Sequence, residues 1–269
     1  MDRRPIGAFD SGLGGLTAFR KLAEILPGEN IIYLGDTGRV PYGSRSKETI
    51  IKYAIQDAAF LTGFDIKAIM VACNTVSATA MPELTRGCEV PVYGVVEEPV
   101  KTALRLTKNR CIGVIGTEAT IRSGSYEAAL KRECPEVEVF SAACPLFVPL
   151  VENGRTAVSD IVPVTVAREY LEPLKGKNVD TLIMGCTHYP LLAEIIKAEM
   201  GPEVRLIDSG AEAAIRVAQD LREQGLLSDA QEKGKYSFFV TDSTEGFSKL
   251  AGAFLESEIK GLVKQVSLE

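Results

Sequence analysis

Four short apolar segments in the first 95 residues of this 269-residue chain recur in the same order 106 to 113 positions later. The pairs are residues 6–9 with 112–115, 31–34 with 137–140, 69–71 with 182–184, and 92–95 with 204–207. Segments with helical periodicity separate them, a βαβα pattern that is typical of a parallel sheet covered by helices. Four ordered matches at nearly constant spacing favour duplication over coincidence. We therefore predict an α/β fold with two similar open, mainly parallel sheets related by pseudo-two-fold duplication, and a shared cleft between them.

Helices are predicted within the repeats at residues 16–26 and 125–131. A tail follows the second repeat, with a predicted helix at 211–224, a strand at 236–240 and a helix at 247–255. No linker-like composition separates this tail from the rest, so we expect it to pack back on one of the two units.

The third strand of each repeat ends in a cysteine, Cys73 in the first and Cys186 in the second. Open α/β sheets bind ligands at the carboxyl ends of their strands, so both thiols are predicted to face the cleft. The start of the following helix is expected to lower each thiol pKa. Two thiols from matching units suggest an acid and a base on opposite sides of one substrate.

Composition excludes several classes of function. A net charge of −6 and a pI near 5.2 argue against nucleic-acid binding. No apolar run is long enough for a membrane span and no secretory signal is evident, so we expect no membrane partner. The six cysteines are scattered in a chain too large to need disulfides, which predicts reduced thiols and a cytoplasmic location.

The Gly-rich loop after the first strand begins with Asp10 and Ser11. Its simplest interpretation is a tight turn that caps a helix. Dinucleotide binding is a second interpretation, but the Gly-x-Gly-Gly spacing is not the full fingerprint, and an aspartate would repel phosphate. A third is that the backbone N–H groups receive a substrate carboxylate while Asp10 faces the reacting carbon.

Three other polar groups follow predicted strand ends or loops. Asp36 ends the second strand before a Pro- and Gly-rich turn, which is either structural or a binding loop. His188 is the only histidine and lies two residues after Cys186. Glu152 ends an apolar loop and could tune His188. The remaining cysteines, Cys88, Cys111, Cys134 and Cys144, have no comparable polar setting and are interpreted as packing residues.

Zinc is the obvious alternative use for two thiols and an imidazole. The Cys-x-His spacing is short, and a structural site prefers four closed ligands, so no metal is predicted. A disulfide between Cys73 and Cys186 is disfavoured in a reducing compartment.

Proton removal from the carbon between an amine and a carboxylate usually recruits pyridoxal phosphate, which needs a Schiff-base lysine. No lysine lies in any strand-end motif. A thiolate on one face and a thiol on the other could perform the inversion directly. The residues alone therefore predict a two-base racemase or epimerase without a cofactor, and they leave the substrate open.

The sequence also resembles the bacterial glutamate racemase family over essentially its whole length. The matching motifs are Phe9-Asp10-Ser11-Gly12 with Gly14-Gly15-Leu16-Thr17, Gly35-Asp36 with Pro41-Tyr42-Gly43, Ala72-Cys73-Asn74-Thr75, Gly116-Thr117 with Thr120, Cys144-Pro145-Leu146-Phe147-Val148 with Glu152, and Gly185-Cys186-Thr187-His188-Tyr189-Pro190. Related aspartate and hydantoin racemases are less similar at Pro41-Tyr42-Gly43 and in the last motif.

The resemblance implies that Cys73 handles the proton of D-glutamate, assisted by Asp10, and that Cys186 handles that of L-glutamate, assisted by His188 with Glu152 behind it. The residues implied to bind substrate are Asp10, Ser11, Tyr42, Gly43, Asn74, Thr75, Thr187 and His188. Asp36, Thr117 and Thr120 are expected to support them.

The same resemblance implies a homodimer that makes D-glutamate for peptidoglycan. It divides the chain into a first domain of residues 1–97 plus 208–269 and a second domain of residues 98–207. Racemisation of a related acidic amino acid such as aspartate is the alternative activity. A binding protein without turnover, and a metal or redox sensor, are alternatives from other functional classes.

Overall fold

The computed structural model describes residues 2–230, 232–257 and 262–268. Its strands are β1 (Ile6–Asp10), β2 (Ile31–Gly35), β3 (Ala68–Val71), β4 (Val92–Tyr93), β5 (Cys111–Gly116), β6 (Glu138–Ala143), β7 (Thr181–Gly185), β8 (Arg205–Asp208), β9 (Tyr236–Val240) and β10 (Val263–Gln265).

Its helices are α1 (Leu16–Ile25), α2 (Lys47–Thr62), α3 (Asn74–Ser77), α4 (Met81–Gly87), α5 (Glu97–Leu106), α6 (Glu118–Ser123), α7 (Ser125–Glu133), α8 (Phe147–Glu152), α9 (Ile161–Lys175), α10 (Ala193–Met200), α11 (Ser209–Glu223) and α12 (Thr244–Leu255). A 3₁₀ helix spans Tyr189–Leu192. None of these helices is both long and apolar enough for a bilayer span.

The described strands form two sheets, and neighbouring strands within each sheet are parallel. The first sheet is ordered β10-β9-β2-β1-β3-β4, and the second is ordered β6-β5-β7-β8. The first four strands of the chain are therefore arranged as β2-β1-β3-β4, which is the order of their counterparts in the second sheet. The predicted α/β fold with two similar parallel sheets is confirmed.

The tail extends the first sheet. Strand β9 pairs with β2 from Ile31↔Tyr236 to Gly35↔Val240, and β10 pairs with β9 outside it. Strand β10 escaped the sequence analysis because its three residues, Val-Lys-Gln, have no apolar run. The division of the chain at 97/98 and 207/208 stays a prediction.

The helix predicted at residues 125–131 is α7, which runs two residues further. The separate helix α6, which was not predicted, ends where Gly124 adopts a left-handed conformation (φ 65°). The last helix begins at Thr244, three residues before the predicted start, because the Ser243 side chain accepts the Gly246 N–H and caps it.

The packing follows the two-residue period of the strands. In β1, Ile6 and Ala8 face the core that contains α1, α11 and α12, whereas Phe9 faces α2 on the other side of the sheet. The first of these cores continues into the second sheet beneath β7, which joins the two units through buried apolar contacts.

Helices α1 and α11 approach closely because Gly210 has no side chain. A Cβ at this position would lie 2.8 Å from the Cβ of Ala18. Asp208 caps α11 by accepting the N–H groups of Gly210 and Ala211. This contact brings the end of the second repeat against the first helix of the chain.

Candidate active site

A cavity of about 360 Å³ lies between the two sheets at the carboxyl ends of their strands. The predicted site residues that line it are Asp10, Ser11, Tyr42, Gly43, Cys73, Asn74, Thr75, Thr117, Glu152, Cys186, Thr187 and His188. The residues that line it without having been predicted are Val40, Pro41, Ser44, Glu118, Pro145, Val148 and Pro149. Both cysteines thus open into the same space, as parallel strands of matching units place them.

Asp36 and Thr120 are absent from the cavity wall. Asp36 is fully buried behind the wall, where it accepts the hydroxyl proton of Tyr42. Thr120 is also buried, and its hydroxyl lies 3.0 Å from the hydroxyl of Thr117. Both residues therefore contact side chains that line the cavity.

Cys73 is the N-cap residue of α3 and is 4% exposed. Its thiol lies 3.6 Å from the Ser11 hydroxyl, and the Val76 N–H also points at the sulfur. Burial raises the pKa of Cys73 to about 12, and the charge of Asp10 contributes to the rise. The prediction that a helix N-terminus lowers this pKa is wrong, because desolvation and a neighbouring carboxylate outweigh the backbone N–H groups. A thiol with this pKa keeps its proton at neutral pH and is able to donate it.

Asp10 ends β1 beside Cys73 and is also buried. Its carboxylate accepts the Gly12 N–H at 3.0 Å. Burial raises the pKa of Asp10, while the facing His188, the backbone N–H groups of Gly15 and Gly12, and the Cys73 thiol oppose the rise. Asp10 is therefore a buried carboxyl in contact with one thiol and facing the imidazole beside the other.

Cys186 is coupled to the single histidine. His188 Nδ1 lies 3.8 Å from the Cys186 sulfur, and Nε2 lies 3.1 Å from a Glu152 carboxylate oxygen. Burial alone would lower the pKa of His188, but the hydrogen bonds to Cys186 and Glu152 and the charge of Asp10 together raise this pKa to about 10. The imidazolium can therefore donate to a Cys186 thiolate while Glu152 balances its charge.

The histidine ring is held by its packing as well as by its hydrogen bonds. Phe254 of α12 meets it edge to face at 5.6 Å between ring centroids. A side chain at Gly14 would overlap the imidazole. Thr17 of α1 donates its hydroxyl to the Thr187 carbonyl at 2.8 Å, which fixes the Cys186–His188 segment against the first unit. Phe254 and Thr17 thus position a group from the other repeat.

Asn74 is supported by residues that the sequence analysis missed. Its amide nitrogen donates to Ser209 at 2.9 Å, and Ser209 donates to the carbonyl of Met184, two residues before Cys186. The Tyr126 hydroxyl bonds to the Asn74 amide oxygen. Ser209 directly follows β8, so the rule that strand ends carry function would have pointed to it. Nothing in the sequence pattern indicated Tyr126.

Thr75 and Thr117 connect the two sheets across the cavity. Their hydroxyl oxygens are 3.0 Å apart, with Thr75 on α3 and Thr117 at the N-cap of α6. Thr187 also lines the cavity and is buried. These neutral hydroxyls offer both donors and acceptors to a polar ligand.

All six cysteines are free thiols. Cys144 is buried, whereas Cys88, Cys111 and Cys134 are half-buried, and none of the four lines the cavity. Within residues 2–230, 232–257 and 262–268, no group of three or more His, Cys, Asp and Glu side chains could hold a metal ion.

The raised pKa of His188 predicts a titration that can be measured directly. Because the chain has one histidine, its imidazole resonances can be followed by NMR without assignment. We expect a midpoint near 10, and therefore a stabilising contribution that is complete below the ordinary value of 6.5 and lost as pH rises through 10. The Glu152→Gln variant should lower the midpoint, because the neutral amide stabilises imidazolium less.

Glu118→Gln is the matched control, since Glu118 lines the same cavity and has no bond to His188 among the described contacts. It should leave the midpoint in place. A wild-type midpoint near 6.5 would contradict the coupling between His188, Cys186 and Glu152.

Comparison with known proteins identifies the family of this chain. The sequence profile of the Asp/Glu/hydantoin racemases matches residues 14–218. The chain belongs to the Asp/Glu/hydantoin racemase family. Among members of this racemase family, the glutamate racemase of Geobacter metallireducens is 48% identical over 100% of this chain and 98% of its own length.

Solved racemase structures are similar over the whole fold. A glutamate racemase isoform from Bacillus anthracis superposes with a TM-score of 0.94 at 39% identity, covering 100% of this chain and 99% of its own. The glutamate racemase of Francisella tularensis, solved in complex with D-glutamate, gives a TM-score of 0.93 at 40% identity, with the same coverage.

Proposed function

We propose that this protein interconverts L- and D-glutamate without a cofactor, using Cys73 and Cys186 as the two proton-transfer groups. The observation that carries the proposal is that two buried free thiols, at equivalent strand ends of two repeats, open into one cavity. The substrate is inferred from similarity, because full-length relatives named as glutamate racemases reach 48% identity.

In the proposed reaction, turnover of L-glutamate begins at Cys186. The imidazolium of His188 can stabilise a thiolate at Cys186, which removes the α-proton of L-glutamate. The electron pair left on the α-carbon takes the proton of the Cys73 thiol on the opposite face. The product is D-glutamate, with the Cys186 thiol and a Cys73 thiolate, and exchange with solvent restores the starting state. Asp10, in contact with Cys73, assists the reverse direction.

Substrate binding is assigned to the polar wall of the cavity. Ser11, Asn74, Thr75 and Thr187 supply neutral donors for the two carboxylates. Tyr42 and Gly43 contribute through their backbone, because the Tyr42 hydroxyl is already bonded to the buried carboxyl groups of Asp36 and Asp57. We further propose that the D-glutamate serves peptidoglycan synthesis, that the protein acts in the cytoplasm, and that it forms a homodimer, as the resemblance to bacterial glutamate racemases implies.

The direct test follows the circular dichroism of L-glutamate with purified protein and no additive. The signal should decay to zero, because enantiomers have equal free energy in achiral solution, and dialysis against EDTA or treatment with hydroxylamine should not slow it. L-aspartate under the same conditions is the comparison. Faster turnover of aspartate would contradict the substrate assignment, and loss of activity with EDTA that zinc restores would contradict the two-thiol chemistry.

A further inference from the structure

Two buried carboxyl groups meet at the hydroxyl of Tyr42, outside the cavity wall. Asp36 follows β2 and Asp57 lies on α2, and both side chains are fully buried. The Tyr42 hydroxyl bonds to Asp36 Oδ2 and lies 3.1 Å from Asp57 Oδ2. Asp57 was not recognised from the sequence, because a single aspartate outside any strand-end motif carries no functional signal.

The hydrogen bonds in this cluster require one more proton than the ordinary charge states provide. A tyrosine hydroxyl has a single proton and can donate to only one carboxylate. Its second contact is a hydrogen bond only if the other carboxyl group carries a proton and donates it. Arg39 supplies one positive charge to both acids, through Nε to Asp36 at 2.6 Å and Nη2 to Asp57 at 2.9 Å. With one cation, one carboxylate and one neutral acid, the cluster has no net charge.

The surroundings assign the proton to Asp57. Asp36 accepts a further hydrogen bond from the Thr241 hydroxyl at 2.8 Å, so its ionised form is the better solvated of the two. Burial and the charge of Asp36 raise the pKa of Asp57 well above its ordinary value, against the opposing effect of Arg39 and Tyr42, and the more distant Asp10 contributes to the rise.

Uncharged side chains next to the cluster hold Arg39 in place, and they do not change the number of protons that the cluster requires. The Gln56 side-chain oxygen accepts Arg39 Nη1 at 2.5 Å. The Tyr53 ring lies under the guanidinium, 4.2 Å from its centroid. Arg39 is thereby fixed in the orientation that reaches both carboxyl groups.

We propose that Asp57 is a neutral carboxylic acid that donates its proton to Tyr42 and thereby positions the loop of residues 40–44 on the cavity wall. The inference deepens the proposed function, because all five loop residues line the cavity in which glutamate is proposed to bind. Asp57 itself does not line the cavity. It acts through Tyr42 and is a positioning residue.

The loop also contacts the second unit, so its position affects the cleft as a whole. The Gly43 carbonyl accepts the Ala119 N–H of α6 at 2.9 Å. A Cβ at Gly43 would lie 2.9 Å from Thr117 Cβ, so the backbone here is closer to this wall than any residue with a side chain would allow. A shift of Tyr42 would therefore be transmitted to the contact between the two units.

Kinetics distinguish positioning from simple stability. Asp57→Ala should raise the KM for glutamate about tenfold, equivalent to about 1.4 kcal/mol of binding free energy, with a smaller change in kcat. Asp57→Asn should restore KM to within about twofold of wild type, since its amide can donate to Tyr42 and accept from Arg39. Asp65→Asn, the same change at an exposed aspartate, is the control.

The pH dependence gives a second readout. A raised pKa in the folded state means that the stabilising contribution of Asp57 is complete at low pH and lost as pH rises through that value. In wild-type protein, KM should therefore rise at alkaline pH as Asp57 ionises against Asp36. The Asp57→Asn variant should lack this rise. An equal alkaline rise in both proteins, or a KM for Asp57→Asn as high as for Asp57→Ala, would overturn the proposal.

Two measurements are independent of activity. The infrared spectrum of wild type minus Asp57→Asn at neutral pH should contain the carbonyl band of a protonated carboxylic acid. Hydrogen exchange of the backbone amides of Val40, Tyr42, Gly43 and Ser44 should be faster in Asp57→Ala than in wild type, and should return to the wild-type rate in Asp57→Asn. Absence of the band, or unchanged exchange in Asp57→Ala, would overturn the inference even in an active racemase. A protein that shows both effects and does not racemise glutamate would refute the proposed function and support the positioning.

Discussion

Replacing Cys73 or Cys186 by alanine is expected to reduce racemisation by about 10³-fold or more, within the range for loss of a positioned acid or base. Each substitution should be this severe, because inversion needs a proton removed on one face and delivered on the other. Serine should fail almost as completely, since its hydroxyl is a far weaker acid than a thiol. Circular dichroism with L- and with D-glutamate measures both directions.

Cys134→Ala is the matched control, because this half-buried thiol lies outside the cavity. It should retain wild-type activity. Solvent labelling distinguishes a two-base mechanism from a one-base mechanism. In heavy water, the newly formed enantiomer should carry deuterium at early times, and the recovered starting enantiomer should carry much less. Equal early labelling of both enantiomers would favour a single base, and full activity in Cys186→Ala would exclude the two-thiol mechanism.

The second large effect concerns stability at the opposite end of the first sheet. Lys67, just before β3, is buried, and its ammonium donates to Glu29 at 2.5 Å and to the carbonyls of Asp2 and Leu226 at 2.8 Å. Glu29 also accepts the Ser228 N–H at 2.7 Å. Lys67→Ala leaves a buried carboxylate without its cation, and we expect a loss of about 3–5 kcal/mol in the free energy of unfolding.

Urea unfolding measures this loss, and Lys131→Ala provides the matched control. Lys131 pairs with Glu127 on the surface, so its removal should cost at most about 1 kcal/mol. The double variant Lys67→Met with Glu29→Leu should recover much of the stability, because no unpaired charge remains buried. A loss below about 1 kcal/mol for Lys67→Ala would show that the ion pair contributes little. Lys67 lies at the amino end of β3, whereas the cavity lies at the carboxyl ends of the strands. We therefore expect the folded fraction of Lys67→Ala to have a normal kcat.

Apolar periodicity was sufficient for the duplicated sheets and for the cysteine-bearing strand ends. Consecutive apolar residues predict that β1, β3, β5 and β7 are buried. The helices between the strands predict that the strands run in the same direction. The same rule put Asp10, Cys73 and Cys186 at one cavity, because residues that end parallel strands meet at one edge. Strand β10 and helix α6 were missed, since short polar elements depend on neighbours for their stability.

The charge states were decided by tertiary structure. The local pattern after β3 predicts a lowered Cys73 pKa, whereas burial and Asp10 raise it to about 12. The Tyr42 motif implies a substrate-binding residue, but nothing in the sequence indicates that Asp57, fifteen residues away, bonds to the Tyr42 hydroxyl along with Asp36. Tyr126 and Ser209 come from distant segments to hold Asn74. Sequence determines which groups lie at the strand ends through local periodicity, but pKa values and hydrogen-bond partners depend on desolvation and on contacts between distant segments, and these exist only in the folded chain.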